Sequence, residues 1–446
     1  MKKSSFVLLI LIVFVSQNLL AQTPSNRTNI VLIVADDLGY GDLSCYGNTN
    51  IKTPNIDNLA LNGIRFTDFH SNGSVCSPTR ASLLTGRYQQ RTGIKGVITA
   101  EKHRDVGLSL NETTIAEEFK KYNYTTAMYG KWHLGYDKKF NPILQGFDNF
   151  KGFVSGNIDY HAHIDQEGYL DWWNGTDIDN EKGYTTDLIG HYGADFIKKN
   201  NPKKTKKPFF LYVAQEAPHY PYQRRKDNAL RTIGSNKTKK VSKDSISSIY
   251  KEMVEVLDES VGEIINTLKD IGEYDNTIIL FISDNGASQY GNNGVLRAKK
   301  GSVYEGGTRV PAILSYPAKL KEAKINNQTI LTIDILPTLL DFIGQKPSAK
   351  ILDGISIKEN LLQEVDLPKR DVFYGFKNQL FIRNGKWKLV EVKTKSKVRL
   401  ELYDLSKDLS EENDVKESNK IIFEAMKKRL HLWVKEVKKD QQIISK

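Results

Sequence analysis

The sequence predicts an α/β fold: a mostly parallel sheet sandwiched by helices, followed by a smaller C-terminal antiparallel sheet with one helix. Three observations carry this expectation. Four continuous apolar runs, 29–35, 124–129, 208–214 and 277–283, each stop at polar or ionisable residues, as strands buried on both faces of a parallel sheet do. Between them lie segments with apolar residues at helical spacing, at 113–121, 184–199 and 246–271. Beyond Pro368 the texture changes to short alternating runs at 372–376, 379–383, 387–392 and 400–405, which read as antiparallel strands.

In chain order, the first segment is MKKSSFVLLILIVFVSQNLLAQ, with Lys2 and Lys3, an apolar run over 6–15 and the small Ala21 before Gln22. This is a signal-peptide pattern over 1–21. The apolar run is short of the roughly 20 residues that a membrane span needs. We therefore expect export without a membrane anchor, to the periplasm of a Gram-negative bacterium. The region 22–366 reads as the catalytic domain and 367–446 as a C-terminal subdomain. Within the first, Ser77 suits a helix N-cap and Pro78 the first helical turn, with the helix ending at Gly86. The stretches 200–207 and 224–243 are Lys-rich and read as exposed loops, and 331–343 as a helix interrupted by Pro337. In the C-terminal region Asn384-Gly385 is a hairpin signal, and 420–437 is an amphipathic helix.

The chain carries 64 Lys and Arg against 53 Asp and Glu, a net charge of +11. Such a balance favours polyanions, whether nucleic acid, an acidic lipid surface or an acidic polysaccharide, and no nucleic-acid motif accompanies the charge. Only two cysteines are present, Cys45 and Cys76, so at most one disulfide could form.

Ligands of open α/β sheets bind beyond the C-terminal strand ends, so the polar clusters there should converge on one site. Asp36-Asp37 and Asp284-Asn285 offer hard oxygen donors and no sulfur, which suits Ca²⁺ or Mg²⁺. Lys131 and His133 follow another strand, His219 a further one, and Lys300 opens a glycine-rich loop. In Ser74-Val-Cys76-Ser-Pro-Thr-Arg80 the cysteine meets a helix start, where N–H groups and a nearby arginine attract anions. Together these residues describe a metal-assisted site for a tetrahedral oxyanion ester, with histidines for proton transfer.

At this point the chain resembles the formylglycine-dependent type I sulfatases. The run from Cys76 through Pro78, Arg80 and Leu83-Leu84-Thr85 to Gly86 is similar to their modification signature. The run Tyr124-Thr-Thr126 to Gly130-Lys131-Trp-His133 is similar to their second signature, with Asn123 where glycine is usual. Asn tolerates a positive φ better than most residues. The resemblance covers nearly all of the chain after residue 29. It implies an alkaline-phosphatase-like fold and oxidation of Cys76 to formylglycine by a separate maturation enzyme. It also implies Ca²⁺ held by Asp36, Asp37, Asp284, Asn285 and the modified Cys76. Arg80 would steady the aldehyde hydrate, and Lys131 and Lys300 would bind sulfate oxygens. One hydroxyl of the hydrate would attack sulfur. His219, helped by Lys300, would protonate the leaving alcohol, and His133 would take the remaining hydroxyl's proton as sulfate leaves. Cys45 would need no partner.

The expected substrate is a sulfated oligosaccharide or polysaccharide, of the ulvan, carrageenan or glycosaminoglycan kind. His161 and His163, with Trp172-Trp173 nearby, stand in an insertion-like segment and are candidate sugar contacts. Two other readings compete: a phosphodiesterase or phosphonate hydrolase of the same superfamily, and a non-catalytic polysaccharide-binding protein. The second should lack Cys76, Arg80 or a metal ligand, and the sequence keeps them all.

Overall fold

The computed structural model describes residues 27–348 and 352–444. The segment 1–21, read as a signal peptide, lies outside the described residues. A ten-stranded sheet forms the centre of the molecule. Its order is Lys324–Asn326, Gly63–Phe66, Ala312–Ser315, Thr277–Ser283, Asn29–Ala35, Phe209–Ala214, Thr125–Lys131, Asn149–Phe153, Trp173–Asn174 and Asp177–Ile178. The five strands from Thr277–Ser283 to Asn149–Phe153 are parallel. Ala312–Ser315 is antiparallel to both neighbours, and the last two strands close their edge antiparallel.

The Asn29–Ala35 strand shows why this sequence is a doubly covered sheet. Ile30, Leu32 and Val34 join one core with Leu83, Leu84, Phe119 and Leu336. Val31, Ile33 and Ala35 join the other with Ile189, Phe196, Leu257 and Ile264. Both faces are therefore buried, and full burial of a branched side chain contributes about 1.5–3 kcal/mol. The helices Cys76–Thr85, Ile115–Lys121 and Ile335–Phe342 cover the first face, and Thr185–Lys199 and Lys243–Asp270 the second. Register then places the site: Ala35 pairs with Ser283, Val34 with Ala214, and Gly130 with Ala214. Asp36, Asp284, Lys131 and Gln215 consequently leave the sheet at one edge.

The C-terminal part is a four-stranded antiparallel sheet of Asp371–Phe376, Gln379–Asn384, Trp387–Lys393 and Val398–Asp404. The helix Lys420–Ile444 lies against it through Met426, Leu430, Trp433 and Val437, one stripe at helical spacing. Three local expectations are corrected. Pro337 does not interrupt a helix: a 3-10 turn, Thr332–Asp334, precedes the helix Ile335–Phe342, and Pro337 falls in its first turn, where its missing N–H costs nothing. The stretch 200–207 contains a short helix, Pro202–Thr205, with Asn201 as its cap. Cys76 lies in the first turn of its helix, the N-cap being Val75 rather than Ser77.

Candidate active site

The helix Cys76–Thr85 is buried along its whole length and ends at Gly86, whose φ of +66° and N–H bond to the Ser82 carbonyl (2.9 Å) close it. Cys76 Sγ lies 3.4 Å from Asp36 Oδ1 and 3.3 Å from Lys300 Nζ. Burial, reinforced by Asp36, pushes this thiol up to about 12. Cysteine itself is therefore protonated and a poor nucleophile at neutral pH, although a charged site surrounds it.

Three cations answer three carboxylates there. Arg80, fully buried, donates from Nε (3.2 Å) and Nη2 (2.9 Å) to Asp284 Oδ2, and from Nη1 to the Lys131 carbonyl (2.9 Å). Lys131 Nζ bonds Asp36 Oδ2, and Lys300 Nζ bonds Asp37 Oδ1 at 2.5 Å. Burial opposes the charge on both lysines, but Asp36 beside Lys131 and Asp37 beside Lys300 outweigh it and raise both. Burial likewise opposes ionisation of Asp36, yet Lys131, His219, Arg80 and Lys300 hold it far below the usual carboxylate range. Burial and the nearby Asp36 push Asp284 up to about 7. The Lys131 position depends on Gly130, whose φ is +104° and where a Cβ would meet the Ala214 carbonyl oxygen at 2.0 Å. Upstream, Asn123 adopts φ +62°.

The two histidines differ in how they are held. His133 is buried, and its Nε2 donates to the Ile98 carbonyl at 2.9 Å. Its Nδ1 is buried with no hydrogen-bond partner, so this nitrogen keeps a free lone pair. Burial, then Lys131, lowers His133 well below the usual range and leaves it neutral. His219 Nδ1 donates to the Tyr220 carbonyl at 2.6 Å, and Nε2 faces Asp37 Oδ2 at 3.5 Å. Burial brings His219 down to about 4, against the pull of Asp37.

The residues also fit a divalent cation. Ligand atoms of Asp36, Asp37, Cys76 and His219 lie within 4.8 Å of one another. Asn285 Nδ2 donates to Asp37 Oδ1 at 2.8 Å, while Asn285 Oδ1 is buried without a partner. A carbonyl oxygen left unsatisfied beside crowded carboxylates is what a hard cation requires. A second acidic group, Asp68, His70 and Glu305, is of another kind. Arg383 spans both oxygens of Asp68 at 2.7 and 2.6 Å, and Lys388 takes Glu305 at 2.8 Å. Protein cations satisfy these acids, which join the C-terminal sheet to the catalytic part.

The two candidate sugar contacts differ in burial. His163 is buried, stacks on Trp172 at 4.3 Å, and has Nδ1 on the Glu181 carbonyl (3.0 Å) and Nε2 on that of Gly183 (3.1 Å). Trp172 and Trp173 are buried too, so none of these rings presents a face to a sugar. His161 is half-buried against Tyr184, with Nε2 on the Arg224 carbonyl at 2.9 Å. The segment instead supports the His219 loop: Tyr160 donates to the His219 carbonyl at 3.0 Å, and Ile158 N–H to Glu216 Oε1 at 2.7 Å. Cys45 and Cys76 are both free thiols. Sequence reasoning missed Tyr212, whose hydroxyl lies 3.4 Å from Arg80 Nη1. It is one aromatic in an apolar strand, with no local signal of that contact.

The fold is that of the alkaline phosphatase superfamily. Residues 28–345 match the family described as Sulfatase, and residues 297–440 that described as N-sulphoglucosamine sulphohydrolase, C-terminal. The chain belongs to the sulfatase family and is a sulfuric ester hydrolase. It is 32% identical to the N-acetylgalactosamine-6-sulfatase of Rattus norvegicus, over 83% of this chain and 72% of the relative. It is also 32% identical to arylsulfatase A of Homo sapiens, over 81% of this chain and 74% of the relative. Among solved structures it resembles Ps i-CgsB in complex with k-i-k-neocarrahexaose, with a TM-score of 0.81 and 30% identity, covering 91% of this chain and 92% of that one. The fold is shared with a phosphonate monoester hydrolase of Agrobacterium radiobacter, with a TM-score of 0.67, 21% identity, and 92% and 96% covered.

Proposed function

We propose that this sulfatase removes sulfate from oligosaccharides of an algal or host polysaccharide, using formylglycine made from Cys76 and a bound Ca²⁺. The observation that carries the proposal is the setting of Cys76. It sits between the Asp36 carboxylate and the Lys300 ammonium, with a thiol too weakly acidic to act as it stands, and the neighbouring Asp37 is bonded by Asn285, whose amide oxygen has no partner.

Asp36, Asp37, Asp284 and Asn285, with the modified residue 76, would hold Ca²⁺, which supplies Lewis-acid stabilisation of developing negative charge. Formylglycine supplies a hydrated aldehyde as nucleophile. Lys131 and Lys300 bring fixed positive charge to the sulfate oxygens. Arg80, locked on Asp284 and the Lys131 carbonyl, fixes the helix start against the metal side of the site. His133 accepts a proton at Nδ1, because Nε2 is committed to Ile98. His219 exchanges one at Nε2, because Nδ1 is committed to Tyr220.

The carbohydrate class is supported by a solved relative that binds a carrageenan hexasaccharide and by curated relatives that act on N-acetylgalactosamine 6-sulfate. Maturation would be by a formylglycine-generating enzyme, and the signal-peptide pattern directs the chain to the periplasm. Among the described residues no helix is long and apolar enough to cross a membrane. The test is natively matured protein assayed on defined sulfated oligosaccharides of carrageenan, ulvan and glycosaminoglycan type, beside matched phosphate diesters. Sulfate release from one sugar series is expected. Faster turnover of the phosphate diesters would overturn the reading in favour of a phosphodiesterase.

A further inference from the structure

The backbone around Lys300 is held within its own loop, with Lys300 N–H on the Ala287 carbonyl at 2.9 Å and Ser302 N–H on the Lys299 carbonyl at 3.1 Å, and also by a residue of the C-terminal sheet. Its neighbour Gly301 has φ +82°, a left-handed conformation that glycine adopts at no steric cost. Two bonds from the C-terminal sheet add to the hold on the peptides that follow it. The Gln379 amide donates from Nε2 to the Gly301 carbonyl (3.1 Å) and accepts at Oε1 from the Val303 N–H (3.1 Å). Gln379 is itself fixed, since it pairs with Phe376 across the two-residue hairpin turn of Lys377 and Asn378, and with Val392 on its other side. On the near side of the loop, Gly301 N–H bonds the Ser74 carbonyl at 2.7 Å, and Tyr374 of the same sheet accepts from Ser74 N–H at 3.2 Å. The C-terminal sheet thus grips both the Lys300 loop and the turn that leads into Cys76.

We infer that Gln379 is a positioning residue for the hydrolysis, acting through Lys300 by fixing the Gly301–Val303 backbone so that Nζ reaches Asp37 and residue 76. This rests on the reading of Lys300 as a sulfate-binding group that assists departure of the alcohol. Gln379 touches no reacting atom. Displacement of a positioned group by an ångström can cost about 10²-fold, so Gln379→Met should lower kcat by roughly 10–100-fold, with a smaller change in KM.

The experiment is a double-mutant cycle on the matured full chain with a sugar sulfate and an activated aryl sulfate, using Gln379→Met, Lys300→Ala and the double variant. If Gln379 acts through Lys300, the double variant is no slower than Lys300→Ala alone. The Gln379→Met loss should also be larger for the sugar sulfate than for the aryl sulfate, whose alcohol leaves without help. Additive losses, or equal losses on both substrates, overturn the inference. Should Gln379→Met fold poorly, Gln379→Glu keeps the acceptor for Val303 N–H and loses the donor to Gly301, and should show a smaller, same-sided loss. A fully active Lys300→Ala would overturn the underlying role of Lys300 instead, so the two failures are distinguishable.

Discussion

The strand-edge site and the segment 154–183 share an inventory of histidines, aspartates and aromatic rings, yet their atoms are spent differently. Asp159 accepts from four backbone N–H groups, those of His161, Ala162, Leu230 and Arg231. Asp36 faces Lys131 and the Cys76 thiol instead. The neutral His163 ring is flanked by two backbone carbonyls and donates its single N–H to one of them, whereas His133 keeps Nδ1 without a partner. Saturated groups build a scaffold, and groups left unsaturated in a buried, charged place await a ligand or a proton.

The comparison is broken most severely at residue 76. Cys76→Ala should remove about 10⁴-fold or more of the activity while leaving the fold intact, since loss of a nucleophile removes the reaction path and not a contact. Mass spectrometry of the peptide containing residue 76 from active protein should show the thiol replaced by an aldehyde. Fully active protein with an unmodified Cys76 would contradict the site reading.

Metal removal comes next. Chelation should abolish activity and lower Tm, with Ca²⁺ restoring both, because a ligand that binds only the folded state stabilises it. Asp284→Ala is a poor probe, since it also strands the buried Arg80 charge at a cost of about 3–5 kcal/mol. Asn285→Ala is cleaner. It should raise the Ca²⁺ concentration needed for half-maximal activity, and unchanged metal dependence would remove Asn285 from the ligand set.

Much of this contrast was readable before the fold was known, and the reason is local. Strands such as Asn29–Ala35 are continuous apolar runs because both faces are covered, and the residues after them carry the charge. Cys76, Arg80 and Lys131 stand in runs of consecutive residues whose pattern survives without tertiary knowledge. What was not legible depends on partners far apart in the chain. Ala312–Ser315 is a short run whose antiparallel placement is decided by Gly63–Phe66 and Thr277–Ser283. Arg383 and Asp68 meet across 315 positions, and Gln379 reaches Gly301 across 78, leaving no periodicity to find. The settings of the histidines at 161 and 163 were not legible because side-chain type is visible in the sequence and the backbone carbonyls beside the rings are not.

The histidine contrast gives the third test. His133→Ala should lower kcat by about 10²–10⁴-fold, the usual cost of losing a general acid or base, and, as a buried ring, should lower Tm as well. His163→Ala should leave kcat of the folded protein unchanged while destabilising the fold by about 2–4 kcal/mol through the emptied space against Trp172. Thermal unfolding and steady-state kinetics on the two variants decide it. An active His133→Ala, or a folded but inactive His163→Ala, would reverse the assignment.

The smallest effect is expected at His161, which stands between the two regions in character. The ring is half-buried, tilted on Tyr184 at 5.3 Å, and makes one bond to the Arg224 carbonyl. Loss of one partly exposed hydrogen bond costs about 1 kcal/mol, because water can take up the freed carbonyl. His161→Ala should therefore lower Tm slightly and leave KM for sugar sulfates within about fivefold, the factor that 1 kcal/mol represents. The Arg224 carbonyl lies only a few residues beyond His219, so a small kcat decrease through that loop is expected for sugar and aryl sulfates alike. A sugar contact predicts another pattern: KM rising more than about tenfold for the oligosaccharide, the scale of losing a good polar contact, with the aryl sulfate unaffected. Measuring both substrates on this one variant separates a ring that supports the loop from a ring that grips the substrate.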